Sequence, residues 1–391
     1  MRVLALNPSG LVGGAELSLM DVLEGLIARR HSVLLAMPER GSLLAAAAAR
    51  GIPVCEWRLG EALLKAGRYS GALSLARSAL ASGYAVWSLA RLARAARPDV
   101  IYSNGVKSHL LSAAVAPFLR VPNVWHVRDF VAARRFAPFL FAAARHTTRL
   151  VIANSSAVAR EWEQHGIPVE VAHNGFGISN SATAPRHHSG APLRFLATGI
   201  LAPWKGFDLV LRACAALPAN LDWRLTICGD ELYETDGHRG VRIRLEDIAK
   251  ELRIADRVAF AGMVKDLGPY WRDADVFLHG SVKPEPFGRV VAEAMLAELP
   301  VIAPNAGGIP EFVRDGIDGL LYPMGDFRAL RDAIVSVASG AEGRNAMGAA
   351  ARQRIERDFP IEATVERVER SLADVIAGRN LHRSRICVKS A

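Results

Sequence analysis

The run GISNSATAPRHHSGAPLRFLATG, residues 177–199, divides the chain into two parts of the same kind. Its first portion, 177–192, is Gly, Ser, Pro, His and Ala without apolar periodicity, the composition of a connecting segment. Its last portion, LRFLATG (193–199), is a β-type run closed by glycine. There an alternation of strands and helices that has already run once starts over. Downstream come a helix from 206 to about 217, WRLTICG (223–229), a helix near 240–253, VAFAG (258–262) and VFLHG (276–280). A helix from 287, PVIAP (300–304) and GLLYP (319–323) complete the series. Upstream the strand-like runs are RVLAL (2–6), SVLLAM (32–37), PVCEWRL (53–59), DVIYS (99–103), NVWHV (123–127), RLVIA (149–153) and VEVAH (169–173). Helical segments such as 15–29 and 85–97 lie between them. In the latter, Val86, Leu89, Leu92 and Ala93 form an apolar face opposite Arg91, Arg94 and Arg97.

Alternation of this kind predicts an α/β protein with parallel sheets covered by helices on both faces. The reading gives two doubly wound, Rossmann-like domains at 1–178 and 193–360, joined by a linker at 179–192. A terminal segment, 361–391, holds a helix with Ile361, Val365, Val368, Leu372 and Val375 on one stripe, then a basic tail. Ligands of such folds bind at the C-terminal edges of the strands, so two domains predict a cleft between two such edges.

Composition fits that division. At 391 residues, with 51% hydrophobic and 22% charged, the chain can fill two cores, which excludes wholesale disorder. The net charge of +9 is unevenly placed. Residues 1–185 carry 20 Lys and Arg against 11 Asp and Glu, whereas 186–391 carry 28 of each. Within 58–149 the count is 14 against 3. A basic half predicts an anionic partner, such as phospholipid, a phosphorylated substrate or nucleic acid. Nucleic acid fits poorly, since aromatics make up only 7% and no stacking or groove-reading motif is visible. Cys55, Cys214, Cys228 and Cys387 lack the spacing of a metal site or disulfide framework, so a reducing compartment is expected. VLAL (3–6) stops at NPSG (7–10), too short for a signal sequence. The apolar run 110–119 is half of the roughly 18–20 residues that cross a bilayer. A cytoplasmic protein is expected, able to lie on the inner face of the plasma membrane.

The densest chemical signal is KPEPFGRVVAEAM (283–295), directly after the strand that ends at Gly280-Ser281. Pro286 suits the first position of a helix, where a missing N–H costs nothing. Glu285 then falls at the cap and Glu293 two turns inside, with the carboxylates roughly 12 Å apart along the axis. Free N–H groups and the helix dipole between them suit phosphate. A ligand with hydroxyls at both ends and a diphosphate in the middle matches this layout, and a nucleotide sugar is such a ligand.

With these residues the sequence resembles glycosyltransferase family 4, retaining enzymes of GT-B fold whose motif is E-x7-E. The specific part of the resemblance is the run GILAPWKGFDLVL (199–211), LTICGDE (225–231), FAGMVKDL (260–267), DADVFLHGS (273–281), EPFGRVVAEAM (285–295), PVIAPNAGGIPEFVRDG (300–316) and GLLYP (319–323). The N-terminal half matches more loosely, through GGAE (13–16), HVRD (126–129), ANSS (153–156) and HNGF (173–176). The resemblance implies GT-B architecture, two Rossmann-like domains facing a cleft, with the C-terminal helix free to cross back to the N-terminal domain.

It also implies site residues. Glu285 contacts the transferred sugar, Glu293 holds the donor's ribose hydroxyls, and Lys205 faces the diphosphate, with His126 as the active-site histidine. Gly14, Asp230, Val264, Phe287, Gly288 and Arg289 are expected at the donor, with the base read near Gly262-Met263-Val264. Asn104, Arg128 and Asp129, at strand ends, are candidate acceptor contacts. Where the family usually has arginine directly after Gly199, this chain has Ile200, so one of two expected phosphate cations is missing. No His or Cys pair has metal-ligand spacing, and neither a metal nor another cofactor is expected. The implied activity is transfer of a sugar, with retention, from an NDP-sugar to a glycan or lipid-linked acceptor in bacterial cell-surface polysaccharide or lipopolysaccharide synthesis. The alternatives are a GT-B sugar-nucleotide epimerase and a non-catalytic protein that binds anionic surfaces.

Overall fold

The computed structural model describes residues 1–38, 41–59, 72–177, 192–231 and 240–379, side chains of 72–82 excepted. All but the last residue of the expected linker, the tail from 380 and Cys387 lie outside the described residues. The chain forms two units, Met1–Gly175 with the chain from Ile361 onward, and Phe176–Pro360.

The first unit is built on β1 (Arg2–Leu6), β2 (Ser32–Met37), β3 (Val54–Glu56), β4 (Val100–Asn104), β5 (Asn123–Val127), β6 (Leu150–Ala153) and β7 (Val169–Val171). They pair in parallel in the order β3-β2-β1-β4-β5-β6-β7. Around them run α1 (Gly14–Ala28), α2 (Ser42–Ala49), α3 (Ala72–Ala96), α4 (Val106–Leu119), α5 (Ala137–Thr147) and α6 (Ser156–Glu163). Strand side chains alternate between faces. Val3 and Ala5 therefore enter one core with Leu19, Leu23 and Leu26 of α1. Leu4 and Leu6 enter another with Ala85, Leu89 and Ala93 of α3 and Leu111 and Val115 of α4.

The C-terminal helix, α13 (Ile361–Ile376), completes the first of these cores, with Val365, Val368, Leu372 and Val375 all buried there. Each such side chain contributes roughly 1.5–3 kcal/mol relative to exposure, which fixes the helix on this unit. Polar ties add to the apolar stripe. Glu369 accepts from Arg29 at 2.7 Å and lies 2.5 Å from His31 Nε2, and the Thr364 hydroxyl donates to the His173 carbonyl at 2.8 Å.

The second unit repeats the plan with β8 (Leu193–Thr198), β9 (Trp223–Cys228), β10 (Val258–Gly262), β11 (Val276–Leu278), β12 (Val301–Pro304) and β13 (Leu320–Tyr322). These strands are parallel in the order β10-β9-β8-β11-β12-β13. The helices are α7 (Phe207–Ala215), α8 (Val241–Glu251), α9 (Gly268–Asp273), α10 (Arg289–Leu296), α11 (Phe327–Ala338) and α12 (Ala341–Asp358). Phe195, Ala197, Leu225 and Ile227 face one core, whereas Leu196, Cys228, Phe277 and Val301 face the other. Among the described residues no helix is long and apolar enough to cross a membrane.

One local expectation is overturned. The helix after β11 starts at Arg289, capped by Gly288 at φ +96°, and Pro286 does not open it. Glu285 instead pairs in extended fashion with Gly307, and its carbonyl accepts the Gly308 N–H at 2.9 Å. Those backbone bonds hold 285 outside the helix. Glu285 and Glu293 are therefore not two turns apart on one helix. Elsewhere β3 is shorter than the 53–59 run, and α3 begins well before residue 85.

In each sheet the strand order reverses direction once, between β1 and β4 and between β8 and β11. Such switch points open a crevice at the strands' C-terminal ends.

Candidate active site

At the second unit's switch point, β8 runs through Gly199 into a single 3-10 turn, Pro203–Lys205, and then into α7. Gly206 between them has φ +61°, and a Cβ there would stand 2.0 Å from the Gly280 carbonyl oxygen. Only glycine allows the loops after β8 and β11 to pass this closely. They are also stitched together, since the Trp204 carbonyl accepts from Val282 N–H at 2.9 Å and from the Ser281 hydroxyl at 3.1 Å. This brings Lys205 Nζ to Glu285 Oε1, donating at 2.7 Å across 80 residues of sequence. Both side chains are largely buried, 19% and 12% exposed.

A third group completes the cluster. His279, at the end of β11 and 3% exposed, places Nε2 3.3 Å from the same Glu285 oxygen, without hydrogen-bond alignment. Burial alone pushes the Glu285 carboxyl up, but the Lys205 charge and the His279 ring outweigh it and hold it well below the usual carboxylate range. The site thus holds an ionised carboxylate beside a lysine. His279 was not among the residues singled out by sequence, although it lies inside the run DADVFLHGS (273–281).

The other predicted donor residues lie around this cluster in different ways. Gly288 is buried, and a Cβ on it would stand 2.8 Å from Ile309 Cγ1. Arg289 Nε donates to Glu293 Oε1 at 2.7 Å, and its guanidinium lies 5.1 Å from the Phe176 ring centroid. The Phe287 side chain is core, stacked on Phe312 at 4.9 Å. Asp230 ties the end of β9 to the β8 loop, its carbonyl accepting from Leu201 N–H at 3.0 Å. Val264 is partly buried against the second core. An Asp-x-Asp, Asp273-Ala274-Asp275, does occur, but Asp275 accepts from the Arg194 N–H at 2.8 Å and Asp273 faces Arg194 Nε at 3.8 Å. Among the described residues no three His, Cys, Asp or Glu are grouped so as to hold a metal.

The first unit's switch point is assembled around Arg128, just past β5. Arg128 donates from Nε to Asn104 Oδ1 at 2.9 Å and from Nη1 to Asn174 Oδ1 at 2.7 Å, and lies 3.2 Å from His126 Nδ1. Asn104, ending β4, donates in turn to Asn7 Oδ1, just past β1, at 2.8 Å. His126 also bonds the Tyr102 hydroxyl through Nδ1, while its Nε2 is buried with no hydrogen-bond partner among the described residues. Burial, and then the Arg128 charge, keep the His126 pKa well below its ordinary value, so the ring is neutral. The same causes push His109 down to about 3 and burial raises Tyr102 to about 12.

Gly14 opens α1 in solvent, while the Gly13 N–H is occupied by the Glu16 carboxylate at 3.1 Å. Burial raises the Glu16 pKa, opposed by those backbone bonds, Asn7 and Arg128. Asp129 is engaged by Arg134. The structure therefore joins His126, Asn104 and Arg128 in one network and adds Asn7, Asn174 and Tyr102, which sequence reasoning missed. Asn174 lies inside the HNGF run (173–176) and Asn7 directly follows RVLAL (2–6); Tyr102 resembles any buried strand aromatic.

Known proteins are similar to this chain in sequence and in fold. The family described as Glycosyl transferases group 1 matches residues 184–354, and Glycosyltransferase Family 4 matches residues 12–179. The lipopolysaccharide core biosynthesis glycosyltransferase LpsE of Rhizobium meliloti is 30% identical over 162 residues, 41% of this chain and 44% of that protein. The D-inositol 3-phosphate glycosyltransferase of Mycobacterium tuberculosis is 31% identical over 256 residues, 61% of this chain and 51% of that protein. The chain spans about half the length of the curated relatives it matches. Among solved structures, HepE of Anabaena in complex with UDP-glucose aligns with a TM-score of 0.81 at 26% identity, over 96% of this chain and 100% of that one. Two adjoining family matches, one over each half, together with the doubled switch-point architecture, show that the chain belongs to glycosyltransferase family 4 and has the GT-B fold.

Proposed function

We propose that the protein transfers a sugar from an NDP-sugar to a glycan or lipid-linked acceptor, with retention at the anomeric carbon, in bacterial cell-surface polysaccharide or lipopolysaccharide synthesis. The observation that carries this reading is the buried Lys205–Glu285 pair at the second switch point. When the bond between the anomeric carbon and the diphosphate oxygen breaks, positive charge grows on the sugar and negative charge on the leaving group. The pair offers one charge of each sign, and preorganised charges in a largely dry site stabilise such a transition state most. The acceptor hydroxyl attacks from the face the diphosphate leaves, and its proton passes to the departing phosphate oxygen. No nucleophile is assigned. Glu293 is given the ribose hydroxyls, Gly288 the close backbone approach, and His126 the part of a neutral imidazole that offers Nε2. Diphosphate charge is met by Lys205 and backbone N–H groups, and the proposal assigns no metal or cofactor. The UDP-glucose complex of HepE supports a UDP-sugar as the first donor to assay, and the likeness to LpsE supports a cell-surface glycan.

Glu285→Ala is the test. Transfer should fall by about 10²-fold or more while the fold, followed by circular dichroism, persists. Full activity in that variant overturns the reading. Free nucleoside diphosphate without glycan product in the wild type would point to the epimerase instead.

The acceptor is assigned to an anionic membrane surface because of the layer α3–α5. Tyr84, Trp87, Arg91 and Arg94 recur along the exposed side of α3, and the Arg91 guanidinium lies 5.8 Å from the Trp87 ring. Trp87 is 55% exposed, Phe118 of α4 84% and Phe139 of α5 66%. From 72 to 147 the sequence has ten Lys and Arg against Asp99 and Asp129. Exposed aromatics with arginines suit a lipid headgroup layer, where each cation contributes about 1 kcal/mol. A second copy of the chain would set these arginines against its own. On this reading the enzyme works at the inner face of the plasma membrane. The full chain should sediment with phosphatidylcholine–phosphatidylglycerol vesicles at low salt, and Phe118→Ser with Phe139→Ser should release it. Equal binding to pure phosphatidylcholine vesicles sinks the assignment.

A further inference from the structure

We infer that His279 is a positioning residue that takes over the Glu285 carboxylate when the donor's diphosphate draws Lys205 away. The inference rests on the sugar-transfer reading and deepens it. Its starting point is a conflict within the site. Lys205 is the only cation in the loop 199–206, because Ile200 stands in the place of a second one. Yet Lys205 is already engaged, donating to Glu285 Oε1 at 2.7 Å.

Turning Nζ toward a diphosphate would strip a carboxylate that is 12% exposed of its counter-charge. A buried carboxylate left alone either destabilises the site or takes up a proton. A proton would remove the charge that faces the sugar. The site needs a second holder for Glu285, and it has one. His279 Nε2 lies 3.3 Å from the same oxygen, is buried, and has no hydrogen-bond partner among the described residues. A carboxylate shift of about 0.4 Å would bring the pair to ordinary hydrogen-bond length.

The backbone that carries the imidazole is fixed. The His279 amide N–H donates to the Ile302 carbonyl at 2.9 Å, and the His279 carbonyl accepts the buried Tyr322 hydroxyl at 2.9 Å. The ring lies against Phe277, centroids 6.3 Å apart. Lys205, by contrast, is on a single 3-10 turn and carries a flexible side chain. The rigid donor stays with the carboxylate and the mobile one goes to the ligand.

Binding of UDP and of uridine to the full chain separates this role from simple packing. Uridine carries no diphosphate and does not require Lys205 to leave Glu285. His279→Leu should weaken UDP binding about 10- to 100-fold and leave uridine binding unchanged. His279→Gln, whose amide can donate to the same oxygen, should restore UDP binding to within about threefold. In a Glu285→Gln background, with no charge left to hold, His279→Leu should have little further effect. Equal losses for UDP and uridine, or an unchanged UDP affinity, overturn the inference. If the UDP-specific loss appears while Glu285→Ala remains fully active, the transfer reading fails and the handover stands. If Glu285→Ala is inactive and His279→Leu binds UDP normally, the handover alone fails.

Discussion

The two switch points share a topology and differ in what they hold. Between β1 and β4 the first sheet ends in Asn7 and Asn104, and neutral amides and an imidazole surround one cation, Arg128. Between β8 and β11 the second sheet ends in closely passing glycine loops, and a lysine and a carboxylate are paired with a histidine beside them. In the first, the bonds of Arg128 to Asn104, Asn174 and His126 stay within one unit, so the network fixes geometry. In the second, a single charge pair carries the cluster, and its lysine can be drawn off by a ligand with more negative charge. The same crevice serves as a rigid wall in one unit and as a charge store in the other.

Lys205→Met attacks the charge store and should have the largest effect, a loss of about 10²- to 10³-fold in kcat. It also leaves Glu285 buried without its partner, so stability should fall too. The double variant Lys205→Met, Glu285→Gln should regain most of that stability and none of the activity. If the double variant stays as unstable as the single one, the pair is not the charge store described here. Arg128→Leu attacks the wall. Losing charge-assisted bonds to Asn104 and Asn174 should destabilise the first unit by about 3 kcal/mol. Hydrogen exchange resolved by peptide would show faster opening in the first unit and unchanged protection around Glu285. Equal loosening of both units would erase the contrast.

The same contrast explains how far the sequence could be read. Strand–helix alternation and the restart at 193 were legible because they depend on local apolar periodicity. The second switch point was legible because Lys205, Glu285 and Glu293 fall in contiguous motifs. Its helix start was misplaced because Pro286 obeys the local rule for a first helical residue, whereas the bridge from Glu285 to Gly307 is a contact across 22 residues of chain. The first switch point was only half legible. His126, Asn104 and Arg128 were picked out at strand ends, but Asn7, Tyr102 and Asn174 join them only when the sheet is assembled. His279 escaped for a related reason, since its place beside Glu285 depends on the β11 loop folding back onto the turn at Trp204.

Acidification gives the smallest effect and separates the two regions without any substitution. His109 is stacked on Trp125 at 4.9 Å, bonded to Ser103 Oγ at 2.7 Å, and held neutral by burial and by the Arg128 charge, with its pKa at about 3 against 6.5 in the unfolded chain. A histidine depressed in this way binds its proton more readily unfolded. Its contribution is therefore complete above pH 6.5 and declines as pH falls toward 3. At pH 5 the unfolded chain has gained about 1.5 pH units of protonation advantage, worth about 2 kcal/mol. His126, facing Tyr102, Arg128 and His109, is depressed for the same reasons and adds to the loss. Glu16, raised by burial, acts with the opposite sign and gives part of it back as pH falls into the carboxylate range. Glu285 is depressed, so its contribution is complete above its unfolded value of 4.5 and is lost only below that. Between pH 7 and pH 5 the first unit should thus lose stability while the cluster around Glu285 keeps its protection in hydrogen exchange. His109→Gln should remove that residue's share of the slope. Equal protection of the first unit at both pH values would mean that its histidines are not held neutral by burial and the Arg128 charge.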